Sequence, residues 1–429
     1  MATAQALPDD GVMRAADGTP LKVALARAER REKLKALGLV APLFAFILLS
    51  FVVPILVMLY NAVYDPDVAQ NMPRTVETLR TWDGKDLPSE EVYAAFVADM
   101  KEAQANKQVA LIGKRLNYEL SGIRSKVIST GRKVGTLNEG PYKEAVIGLD
   151  KVWGDKDTWA TIKRSSSDWT PFYILSMLDL RQSPDGGIEQ VPGDRAIYKD
   201  ILVRTLGISL LVTVMTLILG YPVAYLLATS PQRTASILMI FVLLPFWTSL
   251  LVRTTAWMIL MQNGGVFTQM LHFTGVTWFL NLLGVLNGEP ELFKTRFSTV
   301  VAMTHIQLPF TLLPIYSVMK TISPTYMRAA KSLGGTPFYC FLRVYMPQTL
   351  PGVAAGCLLT FILCLGYYIT PALVGGPTDQ MISGFIERAI NSENNWGKAS
   401  ALGVILLTAT LILYYVYNKL VGIDRMKLG

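Results

Sequence analysis

Charge is scarce in this chain. Only 17% of its 429 residues are Asp, Glu, Lys or Arg, against about 25% in an average soluble domain. A deficit of that size over this length argues against a purely soluble protein. Cysteine is scarcer still, and three residues exclude a disulfide scaffold. Cys340, Cys357 and Cys364 read as small apolar side chains. No catalytic triad, Cys-x-x-Cys pair or metal cluster is visible, and no GxxxxGK[ST] loop is present to cradle a nucleotide. What the chain has instead is apolar residues, 51% of the total, with a mean hydropathy of +0.36. That content excludes disorder as the main state.

The apolar residues lie in long separate runs. The first, Leu37 to Tyr64, carries no acid or base until its end, and about 20 such residues span a bilayer's hydrocarbon core. The others cover Ile201 to Ala228, Ile237 to Met261, Phe297 to Met319, Leu350 to Val374 and Ala399 to Val421. Six membrane spans are therefore expected, and with them an all-α polytopic fold. No signal peptide is evident, because the first run starts late and is too long for a signal core. The leader, 1–36, carries Lys22, Arg27, Arg30, Arg31, Lys33 and Lys35. It reads either as a basic helix on the inner membrane face or as a solvated flank of the first span.

Lys and Arg gather in cytoplasmic loops. The leader, the TSPQRTA loop, the loop from Lys320 to Thr349 and the IDRMKLG tail are all basic, which places both termini in the cytoplasm. The segment between the first two spans then lies outside. From Asp65 to Asp200 it holds 19 bases and 21 acids, whereas the remainder of the chain has a balance of +10. The overall charge of +8 is thus a topology signal, and no nucleic-acid motif accompanies it. Four parts follow: the leader (1–36), the first span (37–64), an extracytoplasmic insertion (65–199) and a five-span core (200–429) with its cytoplasmic loop (320–349). The insertion should be largely helical. Ser89 to about Ser129 reads as helix, with Glu90 and Glu91 in its first turn and Val92, Phe96, Val97 and Met100 on one face. A second stretch holds Val109, Leu111, Ile112, Leu116, Leu120 and Ile123. Trp153, Trp159, Trp169 and Phe172 suit a small core or a membrane-edge contact. The insertion either docks an extracytoplasmic partner or only packs on its own spans.

The loop SPTYMRAAKSLGGTPFYCFLRVYMPQTLPGV, Ser323 to Val353, carries the clearest motif. Ser323 and Pro324 form a helix start. Tyr326, Ala329, Ala330 and Leu333 make one apolar stripe, and Gly334 and Gly335 stop the helix. Thr336 and Pro337 repeat the start signal. Phe338, Phe341, Leu342 and Tyr345 repeat the spacing, and Pro347 should end this second short helix before Pro351 opens the next span. An apolar stripe on a basic loop needs either a partner protein or the membrane surface to cover it.

RAAKSLGG followed by VYMPQTLPG resembles the signature of permease subunits of type I ATP-binding-cassette (ABC) importers, in which Ala329, Ala330, Gly334, Pro347, Pro351 and Gly352 match. The usual leading Glu is replaced by Arg328. PFWTSLLVRTTAW (Pro245 to Trp257), LPFTLLPIY (Leu308 to Tyr316) and TPALVGGP (Thr370 to Pro377) are similar to spermidine/putrescine permeases of the first-subunit kind. The likeness covers the first span and roughly residues 200 to 429, and leaves the insertion without a counterpart. It implies a non-catalytic subunit of the bacterial inner membrane with no cofactor of its own. ATP and Mg would be used by a partner ABC ATPase dimer, gripping Arg328, Ala329, Ala330, Ser332, Leu333, Gly334, Gly335 and Phe338. A second permease subunit, of a different chain, and an extracytoplasmic solute-binding protein complete the implied assembly, surrounded by lipid.

Intramembrane charge is costly and often functional, so Arg253 is a pathway candidate. It can equally cap a helix end or snorkel. Gln307 lies in the fourth run. Tyr367 and Tyr368 lie in the fifth, where polyamine-type relatives often carry an acid. Trp247 and Trp257 add ring faces for a cation. His305, without Cys or carboxylate neighbours, reads as a satisfied core residue. Glu387 and Glu393 read as solvated. The solute expected is a polyamine, with an opine or amino-acid derivative as the alternative. A self-sufficient secondary transporter would need internal repeats and coupling groups, and a membrane enzyme would need a catalytic constellation. Neither is found.

Overall fold

The computed structural model describes residues 19–183, 187–193, 196–282, 288 and 290–421. The IDRMKLG tail and the first eighteen residues of the leader lie outside these. Among the described residues five helices are long and apolar enough to cross a membrane: Leu21–Asn61, Tyr198–Thr229, Arg296–Thr321, Pro337–Leu365 and Trp396–Lys419. Gln232–Trp247 and Leu250–Met261 reach that length and hydropathy only when taken together, and they meet at 95°. The only strands among the described residues are two antiparallel triplets, Leu180–Gln182 and Ile188–Gln190.

Several expected boundaries move. The basic leader is not a separate helix: from Leu21 the chain runs unbroken to Asn61, with one π-turn at Leu48–Val52 that skips a rung of the ladder ahead of Pro54, which has no N–H. The third run is not one rod, because Leu244–Trp247 tightens into a 3₁₀ turn at Pro245 and Ser249 opens a new helix, its Oγ accepting from Val252 N at 3.2 Å. Pro347 ends nothing. Pro337–Leu365 is continuous, with a π-turn at Phe341–Tyr345 just ahead of Pro347 that widens the ladder where a donor is missing, and Pro351 lies inside the same helix. The fifth run, by contrast, stops at Leu365 and resumes as Ile369–Val374.

The chain divides after Tyr60, and Asn61 onward forms one compact unit. Within it, Arg296–Thr321 packs between Tyr198–Thr229 and Pro337–Leu365. Without a hydrophobic drive between helices in lipid, close backbone approach and hydroxyl pairs hold such packings. Both are present. A Cβ on Gly352 would lie 2.9 Å from Pro314 O, and one on Gly356 would lie 2.5 Å from Thr311 O. Thr311 Oγ1 donates to Thr216 Oγ1 at 2.8 Å and lies 2.6 Å from Thr360 Oγ1, while Thr216 Oγ1 donates to Thr213 O. Thr360 must then donate to Thr311, so three helices share one chain of hydroxyls.

The insertion has its own core. Trp153 and Trp159 are fully buried with Tyr93, Phe96, Met100 and Leu116. Trp153 Nε1 donates to Thr130 Oγ1, and Trp153 O accepts from both Tyr93 Oη (2.7 Å) and Trp159 Nε1 (2.8 Å). Trp169 is not part of this core. It is exposed, edge-on to Tyr64 at 5.6 Å. The helix expected to Ser129 is three helices, Glu90–Ala105, Val109–Asn117 and Ile123–Lys133. Lys107 (φ +59°) and Gly122 (φ +86°) turn the chain at the two breaks.

A buried ionic hub closes the root of the insertion. Arg115, 1% exposed, pairs with Asp65 at 2.9 Å and Glu119 at 3.0 Å, and its guanidinium lies 4.8 Å from the Phe172 ring. Arg164 holds the other oxygen of Glu119 at 3.2 Å, and Tyr173 Oη donates to Asp65. Burial opposes the Arg115 charge, but Glu119, Tyr173 and Asp65 outweigh it and hold its pKa above the ordinary value. Burial, then the Asp65 charge, push Tyr173 far up, so it stays a donor. Tyr173 and Met177 then pack on Ile201, Ile382, Ala401 and Leu402 of the core. Asp179 accepts from Tyr198 N (3.0 Å) and Lys199 N (2.7 Å), capping the Tyr198–Thr229 helix from outside it.

Candidate functional site

The elbow is built as its residues dictate. Ser323 Oγ accepts from Thr325 N, and the helix Pro324–Ser332 follows. Gly334, at φ +86°, takes the left-handed turn, and Gly335 N returns to Ala330 O at 3.2 Å. Gly335 is required by space: a Cβ there would lie 2.6 Å from Cys340 Sγ. Thr336 Oγ1 accepts from Tyr339 N and starts Pro337–Leu365. The short helix is therefore joined through two glycines to a rod that runs straight into the membrane-length segment.

The elbow has an inner and an outer side. Inside, Phe341 stacks on Tyr345 at 5.9 Å, and both meet Tyr225 edge-on at 5.3 Å. Tyr345 joins Leu227, Leu312, Ile315 and Met319, which anchors the rod to its neighbours. Outside, Tyr326, Leu333 (89% exposed), Phe338 (72%) and Tyr339 have no cover, and Ala329 and Ser332 are also exposed. Ala330 and Gly335 are half-buried between the two sides. Arg328 is exposed, and among the described residues it makes no ion pair; its carbonyl accepts from Ser332 Oγ at 3.0 Å.

The intramembrane candidates divide. Trp257 Nε1 donates to His305 Nδ1 at 3.1 Å, with the rings 5.5 Å apart. His305 is exposed, not a core residue, and this bond leaves its Nε2 carrying the proton. Arg253 Nε is buried without a hydrogen-bond partner. Thr254 Oγ1, 3.2 Å from Thr370 Oγ1, ties the bent pair to the break in the fifth run. Leu250–Met261, which carries Arg253 and Trp257, thus meets Arg296–Thr321 through His305 and the break in the fifth run through Thr370. Such breaks are tolerated in a membrane where backbone lines a cavity or is buried in protein.

The other candidates stand apart. Trp247, at the bend, is 75% exposed. Gln307 is buried on Arg296–Thr321, and its Oε1 has no hydrogen-bond partner. Tyr368 lines a separate cavity of about 640 Å³ with Gln380, Phe385 and Glu387. Glu387 borders this cavity and accepts from Asn391 Nδ2 in an exposed hydrogen bond, in keeping with a solvated side chain. Sequence reasoning missed the pairing of His305 with Trp257. Two polar side chains in separate apolar runs were the available signal, but nothing in their spacing joins them.

Residues 209–421 match the family model described as binding-protein-dependent transport system inner membrane component. The spermidine/putrescine transport system permease protein PotB of Haemophilus influenzae is 29% identical over 229 residues, covering 53% of this chain and 77% of that protein. PotB of Escherichia coli is 28% identical over 221 residues, 51% of this chain and 77% of that protein. The inner membrane ABC transporter permease protein YdcU of Escherichia coli is 29% identical over 263 residues, 59% and 82% of the two chains. Among solved structures, a bacterial ABC transporter involved in the import of the acidic polysaccharide alginate is a distant likeness, with a TM-score of 0.38 and 17% identity over 53% of this chain and 80% of that one. The insertion lies outside the family match. Residues 209–421 belong to the binding-protein-dependent transport inner membrane component family, and the chain is a multi-pass, non-catalytic permease subunit of a type I ABC importer.

Proposed function

We propose that this subunit forms part of a pathway for a polyamine such as spermidine or putrescine, the solutes named in the PotB relatives. An ATPase dimer, using ATP and Mg, grips the exposed face of the elbow. Arg328, Ala329, Ala330, Ser332, Leu333, Gly334, Gly335 and Phe338 form or shape that contact. A second permease subunit of a different chain and an extracytoplasmic solute-binding protein complete the assembly. Both termini of this chain lie in the cytoplasm and residues 65–199 lie outside.

The observation that carries this reading is the uncovered apolar elbow at the head of Pro337–Leu365. Because the rod has no joint between the elbow and its membrane segment, displacement at the ATPases becomes a rigid-body switch between two packings. Gly334→Asp tests the lever. Asp tolerates a left-handed backbone better than most residues, and nothing lies within 4 Å of a Cβ at Gly334. Assembly should persist while solute-stimulated hydrolysis separates from uptake. Normal stimulation and uptake in reconstituted vesicles would reject the lever.

Arg253, Trp257, Gln307, Tyr367, Tyr368 and Trp247 are the pathway residues of this proposal. One observation favours a second solute. From Ile201 to Thr378 the only acids are Glu289 and Glu291, so Arg253 has no carboxylate beside it in the spans. That environment suits an amine carrying its own carboxylate, such as an opine or amino-acid derivative. Competition between spermidine and carboxylated amines for uptake separates the two.

A further inference from the structure

The charge of the insertion is sharply segregated. Between Lys107 and Lys133 there are seven bases and one acid, Glu119; the rest of Asp65 to Asp200 holds twelve bases and twenty acids. The basic stretch is a helical hairpin, Val109–Asn117 with Ile123–Lys133. It is tightly closed: a Cβ on Gly113 would lie 3.2 Å from Arg124 O, and one on Gly131 would lie 2.8 Å from Val109 Cγ1. Val109, Ile112, Leu116, Ile123 and Val127 fill the buried side, and of the charges only Arg115 is buried with them, while Lys107, Arg124, Lys126, Arg132 and Lys133 are exposed.

The two ends of the hairpin differ. At the turn end, Arg115 and Glu119 are consumed by the hub with Asp65, and Lys126 pairs with Asp150 at 2.8 Å. At the open end Lys107, Arg132 and Lys133 are exposed, and among the described residues none of them makes an ion pair, although Lys133 helps to depress the Asp150 carboxyl; Lys114 and Arg124, nearer the turn, make none either. At 1.5 Å per residue this end lies about 15 Å along the hairpin from the hub. A cluster of unpaired like charges on a rigid, well-packed support repels itself and costs stability. Nothing in the core of the insertion needs it.

We infer that the open end of this hairpin is a docking surface for the solute-binding protein, engaging carboxylates at the rim of its solute cleft. This rests on the polyamine reading, since a receptor that captures a polycation must present carboxylates around it. Lys107, Arg132 and Lys133 then act twice. They steer the receptor onto the permease by long-range attraction, and they compete for the carboxylates that hold the solute, which favours its release.

The test uses the assembled transporter in nanodiscs of zwitterionic lipid and its solute-binding protein loaded with spermidine. Raising salt from about 0.01 M to about 0.15 M shortens the screening length from about 30 Å to about 8 Å. The wild-type association rate should fall at least tenfold over that range. K107E/R132E/K133E should start at least tenfold slower and lose or reverse the salt dependence, with basal ATP hydrolysis unchanged. K107Q/R132Q/K133Q should fall between, which guards against misfolding of the reversed variant. Wild-type association rates in the reversed variant would overturn the inference. So would a salt dependence seen only in nanodiscs containing phosphatidylglycerol, which would place the basic end on lipid. If the receptor docks through the hairpin but the wild type imports no spermidine, the solute reading fails and the docking surface stands.

Discussion

Arg115→Met is the sharpest test of how the insertion is held. The side chain is 1% exposed and neutralises two carboxylates, Asp65 and Glu119, that are themselves about nine-tenths buried. Removing one partner of a buried pair costs about 3–5 kcal/mol, because the other charge stays behind. Glu119 keeps Arg164 at 3.2 Å, and Asp65 keeps the Tyr173 hydroxyl. Only Asp65 is left without a counter-charge, which places the expected cost near the lower bound, about 3 kcal/mol. At about 1.36 kcal/mol per decade, amide hydrogen exchange in Val109–Asn117 should accelerate about a hundredfold. Asp65→Asn added to Arg115→Met should recover part of that, since no charge is then stranded. Hydrogen exchange read by mass spectrometry on the purified permease checks both. Exchange within threefold of wild type in the single variant, or no recovery in the double, would refute the argument that the hub is held by charge compensation.

Two further outcomes follow from the packing. Burial, above all, pushes Tyr93 to about 12. A group with a raised folded pKa contributes stability that is present below its unfolded value and lost on the way to its folded one, so the insertion should weaken as pH rises from about 10 to about 12. Tyr93→Phe should remove that dependence at a cost of only about 1 kcal/mol, because Trp153 O keeps its bond from Trp159 Nε1; denaturation monitored by tryptophan emission reads it. Gly356→Leu puts a side chain where the Thr311 carbonyl stands and should separate Arg296–Thr321 from Pro337–Leu365, abolishing a monodisperse detergent-solubilised permease. Thr311→Val, which loses only hydroxyl bonds, should cost about 0.6–1.7 kcal/mol and leave it monodisperse; size-exclusion profiles distinguish them.

Much was legible in the residues because two constraints act locally. A bilayer demands about 20 uncharged residues per crossing, so five of the six long runs marked a membrane-length helix whatever their neighbours. The elbow was legible for a similar reason: Ser323-Pro324, Gly334-Gly335 and Thr336-Pro337 carry capping and turn chemistry that depends on adjacent residues only. Pro347 misled because its effect depends on whether the preceding turn can widen, and Phe341–Tyr345 does so with the Phe341 and Tyr345 rings set edge-on to Tyr225. The third and fifth runs misled because hydropathy records residue types but not direction. A 95° bend and a three-residue interruption leave the composition unchanged.

The order of amino acids alone determined that this chain crosses a membrane several times, offers an apolar elbow on a basic loop and carries a charge-rich insertion. Each of those follows from side-chain solvation and near-neighbour geometry. The tertiary structure decided which groups meet. Arg115 with Asp65 and Tyr173, Trp257 with His305, Thr311 with Thr216 and Thr360, and Gly356 against Thr311 are separated by about 45 to 95 residues. Their contacts are chosen by how whole helices pack, where one residue's size or hydroxyl matters only after its partner has arrived.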